Sequence, residues 1–270
     1  MPNTFQPAQP STQAQKAQRF AQLHRSPALF VMPNPWDIGS AVLLAKLGFE
    51  ALATSSAACA MALGRRDGEI TRDEALAHGR VIAAATDLPV AADLENGFGH
   101  APADAALTIR LAGEVGLVGG SIEDASGDAA TPLYGFNHAV ERVAAAAEAA
   151  RAHAFPFTLT ARTENYLRGN PDLDDTIRRL QAFEKAGANV LFAPGLPDLA
   201  AVRTVCESLS KPLSFMVSIK GKSFSVAELQ AAGVRRVSLA TSLYRAAMAG
   251  LSEAATEVKR SGTFGYVDRL

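Results

Sequence analysis

Short apolar runs recur eight times along the chain, most of them ending in a polar or charged step and leading into a stretch of helical spacing. They cover residues 28–32, 51–54, 88–92, 119–122, 157–161, 189–193, 212–217 and 236–239. Strand-length apolar runs alternating with helical segments call for a parallel sheet covered by helices. Eight such units within 270 residues fit a closed (β/α)8 TIM barrel, whose reactive end lies where the strands finish. The rival is an open, doubly wound sheet, which typically carries a glycine fingerprint after its first strand. Here that position reads Asn34-Pro35-Trp36-Asp37, so the expected fold is the α/β barrel.

Residues 1–27 are expected to form a lead-in and an extra N-terminal helix near 12–24, and residues 28–270 the catalytic barrel. Further helices are expected at 38–46, 72–85, 102–115, 139–153, 173–186 and 243–259, with Pro102 suited to a first helical turn. The stretch through 64–69 reads as a long loop, and 125–137 as an irregular segment. The first residues, rich in Pro and Gln, lack the apolar core of a signal peptide, and no apolar segment is long enough to span a bilayer. A formal net charge of -1 gives no reason to expect a nucleic-acid or membrane partner. Two cysteines, Cys59 and Cys206, form neither a disulfide framework nor a metal-ligand spacing, and a cytoplasmic location is expected.

The chemistry concentrates at the strand ends. Asp93-Leu94-Glu95-Asn96-Gly97-Phe98-Gly99 follows the third run and delivers two carboxylates, Asp93 and Glu95, to one side of a strand's carboxyl end. Other ends contribute Ser55 and Ser56, Glu123 and Asp124, and Arg162 and Glu164, with Asp67 in the loop after the second run. Acids converging on one barrel mouth repel each other, and a divalent cation resolves the repulsion. All-oxygen donors without a His or Cys cluster point to Mg²⁺ or Mn²⁺ rather than zinc. Magnesium keeps several waters, so Asp93 is expected to bind directly and the other acids through water. Arg162 offers a fork for a substrate carboxylate, or else an internal ion pair with Glu164 or Glu123.

Asn34-Pro35-Trp36-Asp37, Ser55-Ser56-Ala57 with Leu63-Gly64 and Asp67, Asp93-x-Glu95-x-Gly97-x-Gly99, Ile122-Glu123-Asp124 and Ala161-Arg162-Thr163 occur in order at strand ends. As an ordered set they resemble the isocitrate lyase/phosphoenolpyruvate mutase superfamily, from about Phe30 to Ala247. The resemblance implies a metal held by Asp93, with Glu95 and Glu123 on its waters, and Asp67, Glu123 and Arg162 as catalytic residues. Ser55, Ser56, Ala57, Trp36 and Arg162 would contact the substrate. It also implies a homotetramer, a dimer of dimers in which the last barrel helix swaps between subunits, and a small carboxylate as substrate.

There are departures. The superfamily's lyases usually carry a Lys-Lys-Cys-Gly-His loop whose cysteine serves as acid or base. Here Glu123-Asp124 runs on through Ala125 to Tyr134 with neither Lys nor Cys, and Cys59 is expected to be a packed residue. Gly221-Lys222-Ser223 lacks the leading glycine of a phosphate loop, and His138 is expected to serve a surface or capping role. The expectation is a Mg²⁺-dependent lyase cleaving a C–C bond of a small α-oxo or hydroxy carboxylate through an enolate-like state, as in oxaloacetate decarboxylation. Alternatives are C–P chemistry of the phosphonopyruvate hydrolase or phosphoenolpyruvate mutase kind, or a barrel that binds an α-oxo acid without turnover.

Overall fold

The computed structural model describes residues 11–217, 219–221 and 224–269. Most of the Pro- and Gln-rich lead-in, Ser218 at the end of the seventh run, and Lys222 and Ser223 lie outside the described residues. In chain order the first half comprises α1 (Gln13–Arg25), β1 (Phe30–Met32), α2 (Ile38–Lys46), β2 (Leu52–Ala53), α3 (Ser56–Ala62), α4 (Arg72–Ala84), β3 (Val90–Asp93), α5 (Pro102–Glu114) and β4 (Gly119–Glu123). The second half comprises α6 (Phe136–Arg151), β5 (Thr158–Arg162), α7 (Leu173–Ala186), β6 (Val190–Phe192), α8 (Leu199–Glu207), β7 (Leu213–Met216), α9 (Val226–Ala231), β8 (Arg236–Ser238) and α10 (Ser242–Ser261).

All the strand pairs are parallel, in the order β1-β8-β7-β6-β5-β4-β3-β2. Between β1 and β2, Ala53 N–H donates to Pro33 O at 3.1 Å and Asn34 Nδ2 to Thr54 O at 3.0 Å, so a short seam completes the ring. The result is a nearly closed (β/α)8 barrel. The helices cover it through Leu76, Ile109, Val143, Leu180, Phe183 and Val205 among others, all buried. Each such side chain contributes roughly 1.5–3 kcal/mol when fully buried.

Two of the helices bear on the site. α3 replaces the first part of the expected loop: Ser55 caps it by accepting from Ala58 N at 3.3 Å, and the alanine-rich run that follows favours helix. α6 begins at Phe136, earlier than the expected residue 139, and so takes His138 into its first turn. α1 covers the amino-terminal end of the barrel, where the rings of Phe20, His24 and Phe30 meet edge-on. Gly119 makes this possible, because a Cβ there would lie 2.8 Å from both Phe20 Cε1 and Thr158 O. α10, by contrast, buries none of its residues, and Leu251 on it is 61% exposed. Among the described residues no helix is long and apolar enough to cross a membrane.

Candidate active site

A cavity of about 1480 Å³ opens at the carboxyl ends of the strands. Its wall includes Ser55, Ser56, Ala57, Asp67, Asp93, Glu95, Glu123 and Arg162, so eight of the nine candidate site residues meet there. Trp36 does not. The turn at Asn34-Pro35 carries it outside the wall, where its ring stands edge-on to Tyr244 of α10 at 5.4 Å.

β3 ends at Asp93, and the chain then turns through Glu95 with φ 48°. Same-side alternation therefore does not bring the two carboxylates together, since alternation stops with the strand. The left-handed turn does so instead, held by Glu123 N–H donating to Glu95 O at 2.9 Å and Gly97 N–H to Leu94 O at 2.8 Å. Gly97, with φ 85°, packs so closely on α5 that a Cβ would meet Ala105 Cα at 2.9 Å. Among the described residues three non-glycines have positive φ, Glu95, Phe98 and Ala240, and all three line the cavity. Backbone strain of this kind collects where a site over-determines its geometry.

The acids interact directly. Ser56 Oγ lies 2.9 Å from Asp67 Oδ1 and 3.1 Å from Asp93 Oδ2, tying the loop after α3 to the end of β3. Arg162 Nε is 2.5 Å from Glu164 Oε1 and 3.4 Å from Glu123 Oε2, and its Nη1 is 3.8 Å from Asp93 Oδ2. Arg168, which the sequence reading missed, reaches Glu164 at 3.2 Å and Glu123 at 3.7 Å from a 3-10 turn over Asn165–Leu167. Arg162 is thus an internal partner of acids in this structure, the alternative left open by its sequence position.

Two guanidinium groups face five carboxylates here: Asp67, Asp93, Glu95, Glu123 and Glu164. The imbalance appears as raised carboxyl pKa values. Desolvation, then Asp93 and Asp67, push Glu95 up to about 8. Desolvation and Asp93 raise Asp67 against the opposing bond from Ser56. Glu123 is raised well above its usual range by burial, with Glu164 and Asp93 adding to it and Arg162 opposing. For Arg162, burial works against the charge, but Glu123, Glu164 and Asp93 outweigh it and hold the guanidinium protonated. Glu95 Oε1 is buried and has no hydrogen-bond partner among the described residues.

These observations fit a divalent cation: excess negative charge, oxygen donors only, and one orphaned carboxylate oxygen. Among the described residues no group of three or more acid, His or Cys side chains is placed to hold a metal ion together. An ion that takes one or two carboxylates and keeps its waters needs no such group.

A sequence profile of the phosphoenolpyruvate phosphomutase family matches residues 20–259. The chain belongs to this family. It lies within the isocitrate lyase/phosphoenolpyruvate mutase superfamily, as its strand-end motifs indicate. A 2-methylisocitrate lyase from Halalkalibacterium halodurans is 28% identical over 260 residues, covering 94% of this chain and 86% of that protein. A solved structure from Burkholderia cenocepacia J2315, assigned only provisionally as a lyase/mutase, is 53% identical with a TM-score of 0.94, covering 96% of this chain and 92% of that one. That of a 2,3-dimethylmalate lyase is 27% identical with a TM-score of 0.85, covering 93% and 89%. Two of these relatives are named as lyases, and this family member is an enzyme of the carbon–carbon lyase type.

The family's usual loop cysteine has no counterpart in the segment after Glu123. Ala125 pairs with Leu133 across a short bridge, and Ser126 Oγ bonds to Thr131 O and closes the loop on itself. Asp124, one of the strand-end acids expected from sequence, turns away from the cavity: its carboxylate accepts from Thr163 Oγ1 at 2.8 Å, Glu164 N–H at 2.8 Å and Arg179 Nη1 at 3.1 Å. It is scaffold, anchoring the end of β4 to that of β5. Cys59 is 4% exposed in a small cluster with Ala60, Ile70 and Ala75, consistent with a packed role. His138 Nε2 is 2.8 Å from His100 O and lies outside the cavity wall.

Proposed function

We propose that the chain is a Mg²⁺-dependent lyase that cleaves a C–C bond of a small α-oxo or hydroxy carboxylate through an enolate-like state, with oxaloacetate decarboxylation as the best-fitting reaction. The observation that carries this reading is the acid cluster of Asp93, Glu95 and Glu123, over-charged and with one oxygen orphaned, beside the amino-terminal turn of α3. Asp93 would hold the ion directly, and Glu95 and Glu123 its waters. When bound, the ion supplies positive charge against negative charge developing on a substrate oxygen.

The chain's own groups do the rest. Ser55, Ser56 and Ala57 present hydroxyls and backbone N–H groups where a substrate carboxylate and carbonyl would sit, which orients the breaking bond. Arg162, already protonated and aimed between Asp93 and Glu123, exchanges an acid partner for the substrate's anionic group. Asp67, its carboxyl raised, stands at the cavity edge as the group that can hold a proton near the reacting carbon. The diverged loop after Glu123 favours decarboxylation over retro-aldol cleavage. Loss of CO₂ needs less proton transfer than expulsion of a second carbon fragment.

Two 27–28% identical relatives bear names of lyases acting on branched hydroxy-acid substrates, which supports the substrate class. The family match keeps a second reading in view, C–P bond chemistry on phosphonopyruvate. A substrate panel separates them: pyruvate formed from oxaloacetate with Mg²⁺ supports the proposal, and phosphate released from phosphonopyruvate replaces it with the second. Oxalate binding that depends on Mg²⁺, with no turnover of any panel member, would make the barrel a binding protein. We further propose a homotetramer built through α10 and a cytoplasmic location.

A further inference from the structure

Beneath the acid cluster, inside the barrel, lies a buried cation with no acid partner among the described residues. Arg236 opens β8 and is 4% exposed. Its Nε donates to Ser214 Oγ at 3.0 Å, and its Nη1 donates to Thr160 Oγ1 at 3.1 Å and reaches His24 Nε2 at 3.4 Å. His24 Nδ1 lies 2.8 Å from Phe20 O, which places the ring proton on Nδ1 and makes Nε2 an acceptor. Burial, with Arg236 adding, lowers the pKa of His24 to about 3, so that partner is neutral. Burial alone pulls Arg236 down to about 9, which leaves it charged at neutral pH, and no carboxylate among the described residues opposes that effect.

A guanidinium carries five N–H donors, so these three bonds leave the two on Nη2 without an acceptor among the described residues. Arg142 makes an instructive contrast. It is as deeply buried, but its terminal nitrogens donate to the carbonyls of Asn96, His100 and Ala101.

Arg236 borders a second cavity, of about 50 Å³, on the amino-terminal side of the first. A space of that size takes a few water-sized particles and excludes a carbon skeleton. Thr160 and Thr54 are in its wall, and each already accepts a hydrogen bond, from Arg236 and from Asp93 N–H respectively, so each keeps its own hydroxyl hydrogen to donate. The one carboxylate in the wall is Asp93, at the far end, since it closes β3 whereas Arg236 opens β8. Its Oδ2 is engaged by Ser56 and Arg162. The lower part of the cavity therefore combines a buried positive charge with hydroxyl donors. Those are the requirements of an anion site, because an unpaired buried charge is costly until a counter-charge meets it.

We propose that this inner cavity binds a halide-sized monovalent inorganic anion, with Arg236 as its cation and the hydroxyls of Thr54 and Thr160 as its donors. α1 takes part by delivering a neutral His24 that orients the guanidinium from below. The cavity shares Ser55, Asp93 and Arg162 with the proposed reaction site above it, but Arg236, Thr54 and Thr160 take no part in that reaction, so the anion site stands whether or not the reaction is confirmed.

The test uses the full chain in two salts of equal ionic strength, sodium bromide and sodium gluconate, whose anion is too large for the cavity. The melting temperature of the parent is expected to be higher in bromide and to rise with the logarithm of its concentration, as ligand linkage requires. In Arg236→Met the two salts should give the same value. Crystals grown in bromide should show an anomalous peak beside Arg236, a readout that holds even if the variant fails to fold. Equal melting in both salts would overturn the proposal, as would bromide density elsewhere but not at Arg236. A halide effect that persists undiminished in a folded Arg236→Met protein would overturn it as well.

Discussion

The hydroxyl of Ser56 lies 3.1 Å from Oδ2 of Asp93, joining the first turn of α3 to the end of β3. The same hydroxyl reaches Asp67, so one serine spans the proposed oxygen-binding turn and two members of the acid cluster. The proposed metal site and the proposed substrate-binding turn are thereby mechanically linked.

Asp93→Ala should lose nearly all activity and most Mg²⁺ affinity while melting no lower than the parent without metal. Removing one of several crowded acids relieves repulsion. The several kcal/mol lost from transition-state stabilisation correspond to roughly a thousandfold or more in rate. Calorimetric Mg²⁺ titration beside a melting curve checks both halves. Unchanged metal affinity, or a protein that unfolds, would make Asp93 a structural acid.

Arg162→Ala should behave oppositely. Glu164 is 1% exposed and would lose its nearest partner, with only Arg168 remaining. Breaking a buried pair from one side costs about 3 kcal/mol or more, so this variant should melt well below the parent yet still bind Mg²⁺. Arg162→Lys should recover part of the stability but little of the substrate affinity, because the bidentate fork is gone.

Stability should depend on pH through Glu95. Its folded-state pKa is about 8 against a usual 4.5, so between these values the folded protein holds a proton that the unfolded chain has released. Its contribution is fully present below pH 4.5 and is lost as pH rises toward 8. Metal-free protein should therefore lose stability across that window from this group. Glu95→Gln should flatten that part of the slope, and saturating Mg²⁺ should do the same by replacing the proton. Melting curves at stepped pH, with and without Mg²⁺, are the measurement. An unchanged slope in Glu95→Gln would remove Glu95 as its source.

α10 should be an assembly helix. It buries none of its residues within one chain, and Met248, Leu251 and Val258 are exposed on it. Light scattering should give a tetramer for the parent and a smaller species for Leu251→Glu. A stable parental monomer at micromolar concentration would count against the swapped-helix arrangement.

Cys59→Ser should reduce stability by about 1 kcal/mol, the cost of a hydroxyl in a small apolar cluster, with turnover changed only modestly. Cys206→Ser should do less, since that thiol is only partly buried. A loss of several hundredfold in turnover for Cys59→Ser, with the fold intact, would bring the cysteine back as an acid or base.

Much of the site was legible because it sits at strand ends, where an apolar run stops and a charge begins. That change marks Asp93, Glu123 and Arg162 without any structure. It also marks Asp124, whose carboxylate faces elsewhere, because the pattern says where a strand ends but not which way the next side chain turns. α3 had a signal that could have been used: Ser55 ahead of an alanine-rich run is a capping pattern. Arg168 had none, because a short 3-10 turn has no periodicity to read.

The sequence by itself determined the class of fold and the inventory of chemistry, since hydrophobic period and residue type are local properties. Tertiary structure decided which charges meet. Arg162 closes on Glu164 and Glu123 because β4 and β5 are paired in register, Glu123 beside Arg162. Arg236, on the last strand, meets His24 of the first helix because ring closure folds the two ends of the chain together. Contacts across so many residues depend on the closed barrel, and local patterns carry no record of them.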